Sequence, residues 1–205
     1  RTLLISSPFN TNQIEIIRHI SKSLPIGYKL CVKEHPVQII REWRKTSFYN
    51  EILDIPNVQF LHHSIKTEDV MTKCSLVITI NGASGLEAAI YKKPSILFSD
   101  FSYSILPSVH QIKSIDELPA AIRLSLRKKV DPNDVDKYFN LHEANTFHFD
   151  MFGYELDYHN YFHHGGHLID ADIPEEKAKQ FIKKHESSFD MLADEFIKKI
   201  NCFKK

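Results

Sequence analysis

The stretch Leu76-Val77-Ile78-Thr79-Ile80-Asn81-Gly82-Ala83-Ser84-Gly85-Leu86-Glu87-Ala88-Ala89 decides how this chain folds. Its first five residues are apolar or β-branched and read as a buried strand. Asn81 to Gly85 carry little side-chain bulk and form a small polar turn. A helix over residues 84–92 starts directly from that turn. Strand, tight turn and helix in immediate succession form the repeating unit of a parallel α/β sheet. A helix start also points unpaired N–H groups and the positive end of its dipole outward, which suits phosphate. Two readings stand for this turn: a phosphate-binding loop, or the plain connection that any parallel sheet needs.

The same alternation extends on both sides. Upstream, Thr2 to Ser6 reads as a first buried strand, and Asn10 or Thr11 is placed to cap a helix over residues 13–24. Lys29 to Glu34 reads as a second strand, closed by His35-Pro36. Residues 37–53 read as a helix carrying Trp43 and Phe48, Val58 to Leu61 as a third strand, and Thr67 to Lys73 as a short helix. Downstream of the central strand, Ser95 to Phe98 and Val109 to Ile112 read as strands five and six. Ser114-Ile115-Asp116-Glu117 has the capping-box pattern and opens a helix to Leu126. The expected fold is α/β, a Rossmann-like doubly wound parallel sheet over residues 1–130. Residues 131–205 read as a helical extension rich in His and aromatic residues. It has one helix through about His148, a segment from Phe147 to His167 with little periodicity, and a last amphipathic helix opened by Pro174.

Composition narrows the function classes. Lys plus Arg and Asp plus Glu both number 26, so the net charge is zero and a general nucleic-acid binder is disfavoured. Cys31, Cys74 and Cys202 lack metal spacing, and the first two, in or beside apolar runs, read as buried reduced thiols of a reducing compartment. No apolar run approaches the roughly 18 residues that span a bilayer, and no signal peptide is visible. The chain opens at Arg1 and runs straight into an apolar strand, which suggests a fragment lacking an N-terminal part.

Ligands of doubly wound sheets bind at the carboxyl ends of strands. His35 follows strand two, Asn81 to Gly85 follow strand four, and Ser99-Asp100 follow strand five, so all fall on one expected rim. His35 can donate to a phosphate oxygen, with Lys33 adding charge, or can be a satisfied turn histidine. Ser84 offers a hydroxyl and a helix N-terminal N–H, and Gly85 allows close approach. Glu87 either binds ribose hydroxyls or stabilises the helix dipole. Phe101-Ser102-Tyr103 either stacks on a nucleobase or fills the core. His159, His163, His164 and His167 resemble a metal set, but Gly165-Gly166 interrupts helical spacing and no carboxylate set accompanies them. They read as a surface or interface cluster, and no metal is expected.

Several of these segments carry a family likeness. Ser23-Leu24-Pro25, Val32-Lys33-Glu34-His35-Pro36, Phe48-Tyr49, Ile55-Pro56-Asn57-Val58, Asn81-Gly82-Ala83-Ser84-Gly85-Leu86-Glu87-Ala88 and Lys93-Pro94-Ser95-Ile96 resemble capsule or surface polysaccharide biosynthesis proteins. Their spacing over residues 2–125 is similar to the C-terminal half of a GT-B glycosyltransferase of the capsule-synthesis type, a group that includes Kdo transferases. The resemblance implies a donor lobe that clasps nucleotide-sugar phosphates with His35, Ser84 and Gly85, within a phosphate- and nucleotide-binding set that also takes in Pro36, Asn81, Gly82 and Glu87. Lys33, Ser99 and Tyr103 lie at its margin. It implies a CMP- or UDP-linked sugar as substrate rather than a cofactor, a glycan acceptor, and a missing N-terminal lobe that supplies the general base. It also implies a cytoplasmic protein, with a peripheral position at the inner face of the membrane and a homo-oligomer left open. The pattern departs from its relatives at Phe98-Ser99-Asp100, where they tend to have Gly after the Phe. A sugar-nucleotide epimerase and a non-catalytic scaffold of a glycan-assembly complex are the rival readings.

Overall fold

The computed structural model describes residues 7–35, 44–163 and 173–203. The expected first strand at Thr2 to Ser6, and Pro36, Trp43, His164 and His167, lie outside the described residues. The chain divides into two compact units, Arg1–Leu141 and His142–Lys205.

The first unit alternates helices and strands: α1 (Gln13–Ser23), β1 (Leu30–Lys33), α2 (Thr46–Leu53), β2 (Val58–Leu61), α3 (Thr67–Lys73), β3 (Val77–Thr79), α4 (Ser84–Ile90), β4 (Ser95–Leu97), β5 (Val109–Gln111) and α5 (Leu118–Arg127). Helix α6 (Pro132–Asn145) follows, and its Val135 and Tyr138 are buried in the first unit's core. Among the described residues every strand pairing is parallel. Among the described residues the strands form two sheets, β1-β2 and β3-β4-β5. In the first, Leu30 lies opposite Val58 and Lys33 opposite Leu61. The unit is therefore α/β with parallel strands, consistent with a Rossmann-like arrangement.

Strand β4 organises the core because it lies between β3 and β5 and is buried throughout. Alternation sends successive side chains to opposite faces. Ile96 joins Ile16 and Ile20 of α1 with Leu118, Ala121 and Ile122 of α5. Leu97 joins Ala89 of α4, Tyr103, Leu106, Val135 and Tyr138. Helices thus cover both faces. Ile96 and Leu97 are fully enclosed, and burial of each contributes roughly 1.5–3 kcal/mol. The expectation of a buried strand at residues 76–80 is corrected. Strand β3 stands at one end of its sheet among the described residues and is only half-buried, so β4 takes the central place.

Other local expectations shift by a residue or a turn. Helix α1 is capped by Asn12, whose Oδ1 accepts from the Glu15 N–H at 3.3 Å, rather than by Asn10 or Thr11. The Ser114 hydroxyl accepts from the Asp116 N–H at 3.3 Å, and Glu117 reaches the N–H of Lys113 rather than that of Ser114. That opening is a 3-10 turn, Ile115–Glu117, and α5 begins after it. Cys31 is exposed, not buried, while Cys74 is half-buried and burial pushes its thiol upward.

The second unit contains α7 (Met151–Phe162), α8 (Glu175–Lys184) and α9 (Glu186–Phe203). Helix α7 lies inside the segment expected to lack periodicity. Its rings carry no readable stripe because they gather around one buried residue, Phe181 of α8. Tyr154, Tyr158, Tyr161 and Phe162 place their ring centroids 5.6, 6.1, 5.4 and 5.0 Å from that of Phe181. The single helix expected after Pro174 is two helices, broken at His185. The His185 N–H turns back to the carbonyls of Phe181 and Ile182 at 3.1 and 3.2 Å.

Candidate functional site

The turn after β3 is held from three sides. Gly82 has φ +107°, a backbone conformation that side chains disfavour, and a Cβ there would meet open space. Its N–H donates to Asn81 Oδ1 at 2.8 Å. The Tyr103 hydroxyl donates to its carbonyl. Thr79 Oγ1 donates to the Asn81 carbonyl at 3.0 Å. Helix α4 then starts at Ser84 from Ala83, which has no side-chain oxygen to cap it. The cap residue therefore leaves the first-turn N–H groups without a side-chain acceptor. Glu87 is half-buried in the same first turn, where its charge suits the dipole.

Gly85 is a glycine for a packing reason. A Cβ there would lie 2.8 Å from Tyr103 Cε2 and 3.2 Å from Ser95 Oγ. Tyr103 is buried against α4, and that burial holds its phenol above the usual range. Of the two roles weighed for Tyr103, it takes the core one: it braces the turn from beneath. Phe101, by contrast, is exposed. It lines an open, shallow hollow with Asp100, Ser102, Ser104, Ile105 and Gln111.

The hollow and the turn share a hydrogen-bond chain across three strand ends. Gln111 Nε2, at the end of β5, donates to the Ser99 carbonyl at 3.2 Å. Ser99 Oγ, after β4, donates to Asn81 Oδ1 at 3.4 Å. Ser99 is itself buried. Ser99 thus reaches from the end of β4 to the turn after β3. Gln111 has no sequence signal beyond its place in a weak strand, so its role is visible only in three dimensions.

His35 and Lys33 stand at the end of β1, in the other sheet. His35 is exposed and Lys33 half-buried. Between them, Glu34 anchors the strand end. Its carboxylate accepts from Arg44 Nε at 2.6 Å and from the Tyr49 hydroxyl at 3.0 Å. Arg44 also donates to Gln13 Oε1 at 2.8 Å and lies 4.2 Å over the Phe48 ring. Burial first, and the Glu34 carboxylate second, raise the Tyr49 phenol. Glu34, Arg44 and Tyr49 therefore fix the strand end that presents His35.

In the second unit, His159 Nδ1 and His163 Nδ1 lie 2.7 Å apart. Burial and the neighbouring His159 lower the His163 imidazole. Among the described residues, no group of three or more His, Cys, Asp or Glu is arranged to hold a metal ion.

This geometry, parallel strands whose carboxyl ends carry a His turn and a small-residue helix start, meets a clear family match. The profile of the capsule polysaccharide biosynthesis proteins matches residues 4–117. The chain belongs to that family. The match covers all five described strands and most of the turns and side chains described above. A role in capsule polysaccharide biosynthesis follows for this family member. No curated protein and no solved structure matches the chain. Among the described residues, no helix is long and apolar enough to cross a membrane.

Proposed function

We propose that the first unit is the donor-binding domain of a GT-B glycosyltransferase of capsule synthesis, and that its ligand is a CMP- or UDP-linked sugar. One observation carries this reading: the Asn81–Gly85 turn is fixed by Asn81 Oδ1, Tyr103 and Ser99 at the carboxyl end of a parallel strand, with an uncapped helix start behind it. A preorganised row of N–H groups suits a diphosphate or monophosphate oxygen without reorganisation. His35 and Lys33 supply donors from the end of β1, and Glu87 accepts from ribose hydroxyls. Phe101 offers an exposed ring to a base. Stabilising charge on the departing nucleotide phosphate is the contribution of this domain to transfer. A second, N-terminal lobe supplies the acceptor contacts and the general base. The protein works on the cytoplasmic side of the membrane.

Calorimetric titration of the 205-residue chain with CMP and with UDP tests the reading. Binding of one nucleotide, weakened about tenfold by His35→Ala through loss of a charge-assisted hydrogen bond, is expected. A folded chain that binds neither nucleotide overturns it. Incubation with a nucleotide sugar and no acceptor is expected to leave the sugar unchanged; an epimerised product would reassign the reaction.

A further inference from the structure

We propose that Arg44 is a direct ligand of the nucleotide phosphate, presented beside His35 as a preorganised guanidinium. The proposal rests on the donor-binding reading and adds a residue to it. The chain that leads into α1 ties Arg44 to the rest of that site. Ser7 is buried, and its hydroxyl donates to the Phe98 carbonyl at 3.4 Å, just past β4. The next residue, Ser99, donates to Asn81 of the turn after β3. Six residues after Ser7, Gln13 opens α1, and its Oε1 accepts from Arg44 Nη2 at 2.8 Å. Arg44 Nε in turn donates to Glu34, the residue before His35. Six residues span roughly 20 Å at full extension, and the 3-10 turn Pro8–Asn10 within them shortens that reach. Arg44 is thereby tied to the same carboxyl-end rim as the Asn81–Gly85 turn.

The local chemistry suits an anion. The guanidinium is held by Glu34, by Gln13 and by the Phe48 ring, whose centre lies 4.2 Å away. Among the described residues these bonds occupy two of its five N–H groups, which leaves three for a ligand. Two neighbouring N–H groups of a guanidinium match two oxygens of a phosphate. Because the fork is already fixed, little side-chain freedom is left to lose on binding. The nearest acid does not compete for the space. Glu34 Oε1 accepts from Arg44 and Oε2 from the Tyr49 hydroxyl. The Arg44 side chain is 25% exposed against 16% for Glu34, so the cation is the more open partner. Glu15, in the first turn of α1, pairs with Arg18 at 3.5 Å. Lys33 flanks Glu34 on the strand, so the end of β1 carries more positive than negative charge.

Titration of the full chain with CMP and UDP, and in parallel with cytidine and uridine, tests the proposal. Arg44→Lys keeps the charge and loses the fork. It should bind the nucleotide about tenfold more weakly and the matching nucleoside as the parent does. In the parent chain the Arg44 Nε–H resonance should shift with the nucleotide and stay in place with the nucleoside. That measurement needs no variant, so it decides the matter even where Arg44→Lys fails to fold. Equal nucleotide affinity of the parent and Arg44→Lys overturns the proposal, as does an Arg44 resonance that the nucleotide leaves unmoved. So does a variant whose nucleotide and nucleoside affinities fall by the same factor, which is the mark of a strut. A parent that binds neither nucleotide overturns the donor-binding reading together with this one. A parent that binds with Arg44 uninvolved overturns this one alone.

Discussion

The Tyr103 hydroxyl donates to the carbonyl of Gly82, 21 residues earlier in the chain, and its ring fills the space that a side chain at position 85 would need. One buried residue thereby sets both the shape of the turn after β3 and the seat of the helix that leaves it. The turn's geometry belongs to the core and is present before any ligand arrives. Tyr103→Phe keeps the ring and leaves the Gly82 carbonyl without this donor. We expect a stability loss of about 1–2 kcal/mol in urea unfolding, together with weaker nucleotide binding. Unchanged values for both would remove Tyr103 from the account.

Gly85→Ala and Gly82→Ala should both destabilise, for different reasons. At position 85 the added methyl meets Tyr103 and Ser95, which costs about 1–3 kcal/mol by overpacking. At position 82 there is room, but φ +107° strains any side chain, at a cost on the order of 1–3 kcal/mol. A double-mutant cycle separates the two cases. In a Tyr103→Leu background the Gly85→Ala cost should shrink, whereas the Gly82→Ala cost should retain its strain component.

The parallel α/β character was legible because it rests on local signals. Val58–Leu61 and Thr67–Lys73 fall where the apolar runs and turn residues put them, and the Lys29–Glu34 strand is one residue longer at each end than β1. The order of importance was not legible. β-branched residues made 76–80 look central, but centrality depends on which strand pairs on both sides, and that is β4. The bracing of the site was hidden for the same reason. Tyr103 and Ser99 reach the turn from 21 and 18 residues away, Gln111 reaches Ser99 from 12, and nothing in their immediate sequence records this. Helix α7 escaped because its rings pack around Phe181 rather than along one stripe.

Glu34 is the acceptor for both Arg44 and Tyr49 at the end of β1. Glu34→Ala strands two donors and should cost about 1–3 kcal/mol. Glu34→Gln keeps an acceptor and should cost less. In the Gln variant the Tyr49 phenol should titrate lower than in the parent yet stay above the ordinary tyrosine value, since burial is the larger cause. Resonances of ring-labelled tyrosine followed against pH report this directly. An unmoved Tyr49 would mean that Glu34 does not govern it.

The second unit should weaken in mild acid. His163 is held below the ordinary value of 6.5, so the unfolded chain takes up its proton at a higher pH than the folded one. Its contribution is present above pH 6.5 and is lost as pH falls through the folded value. Asp157, lowered mainly by its hydrogen bond from Lys184, adds a second loss below the ordinary carboxylate value of 3.8. Thermal melts followed by aromatic signals of the second unit should show a falling midpoint below pH 6.5. His163→Gln should flatten that first step, and a parent midpoint that is flat from pH 7 to 5 would contradict the assignment.

The central claim is that the Asn81–Gly85 turn receives a nucleotide phosphate. Backbone amide resonances of the full chain during titration with CMP, and separately UDP, test it most directly. The account predicts saturable shifts at the amides of Gly82, Ser84 and Gly85, accompanied by changes at His35, with one of the two nucleotides. Shifts confined to other segments, or none at these amides while the spectrum remains that of a folded protein, would contradict it.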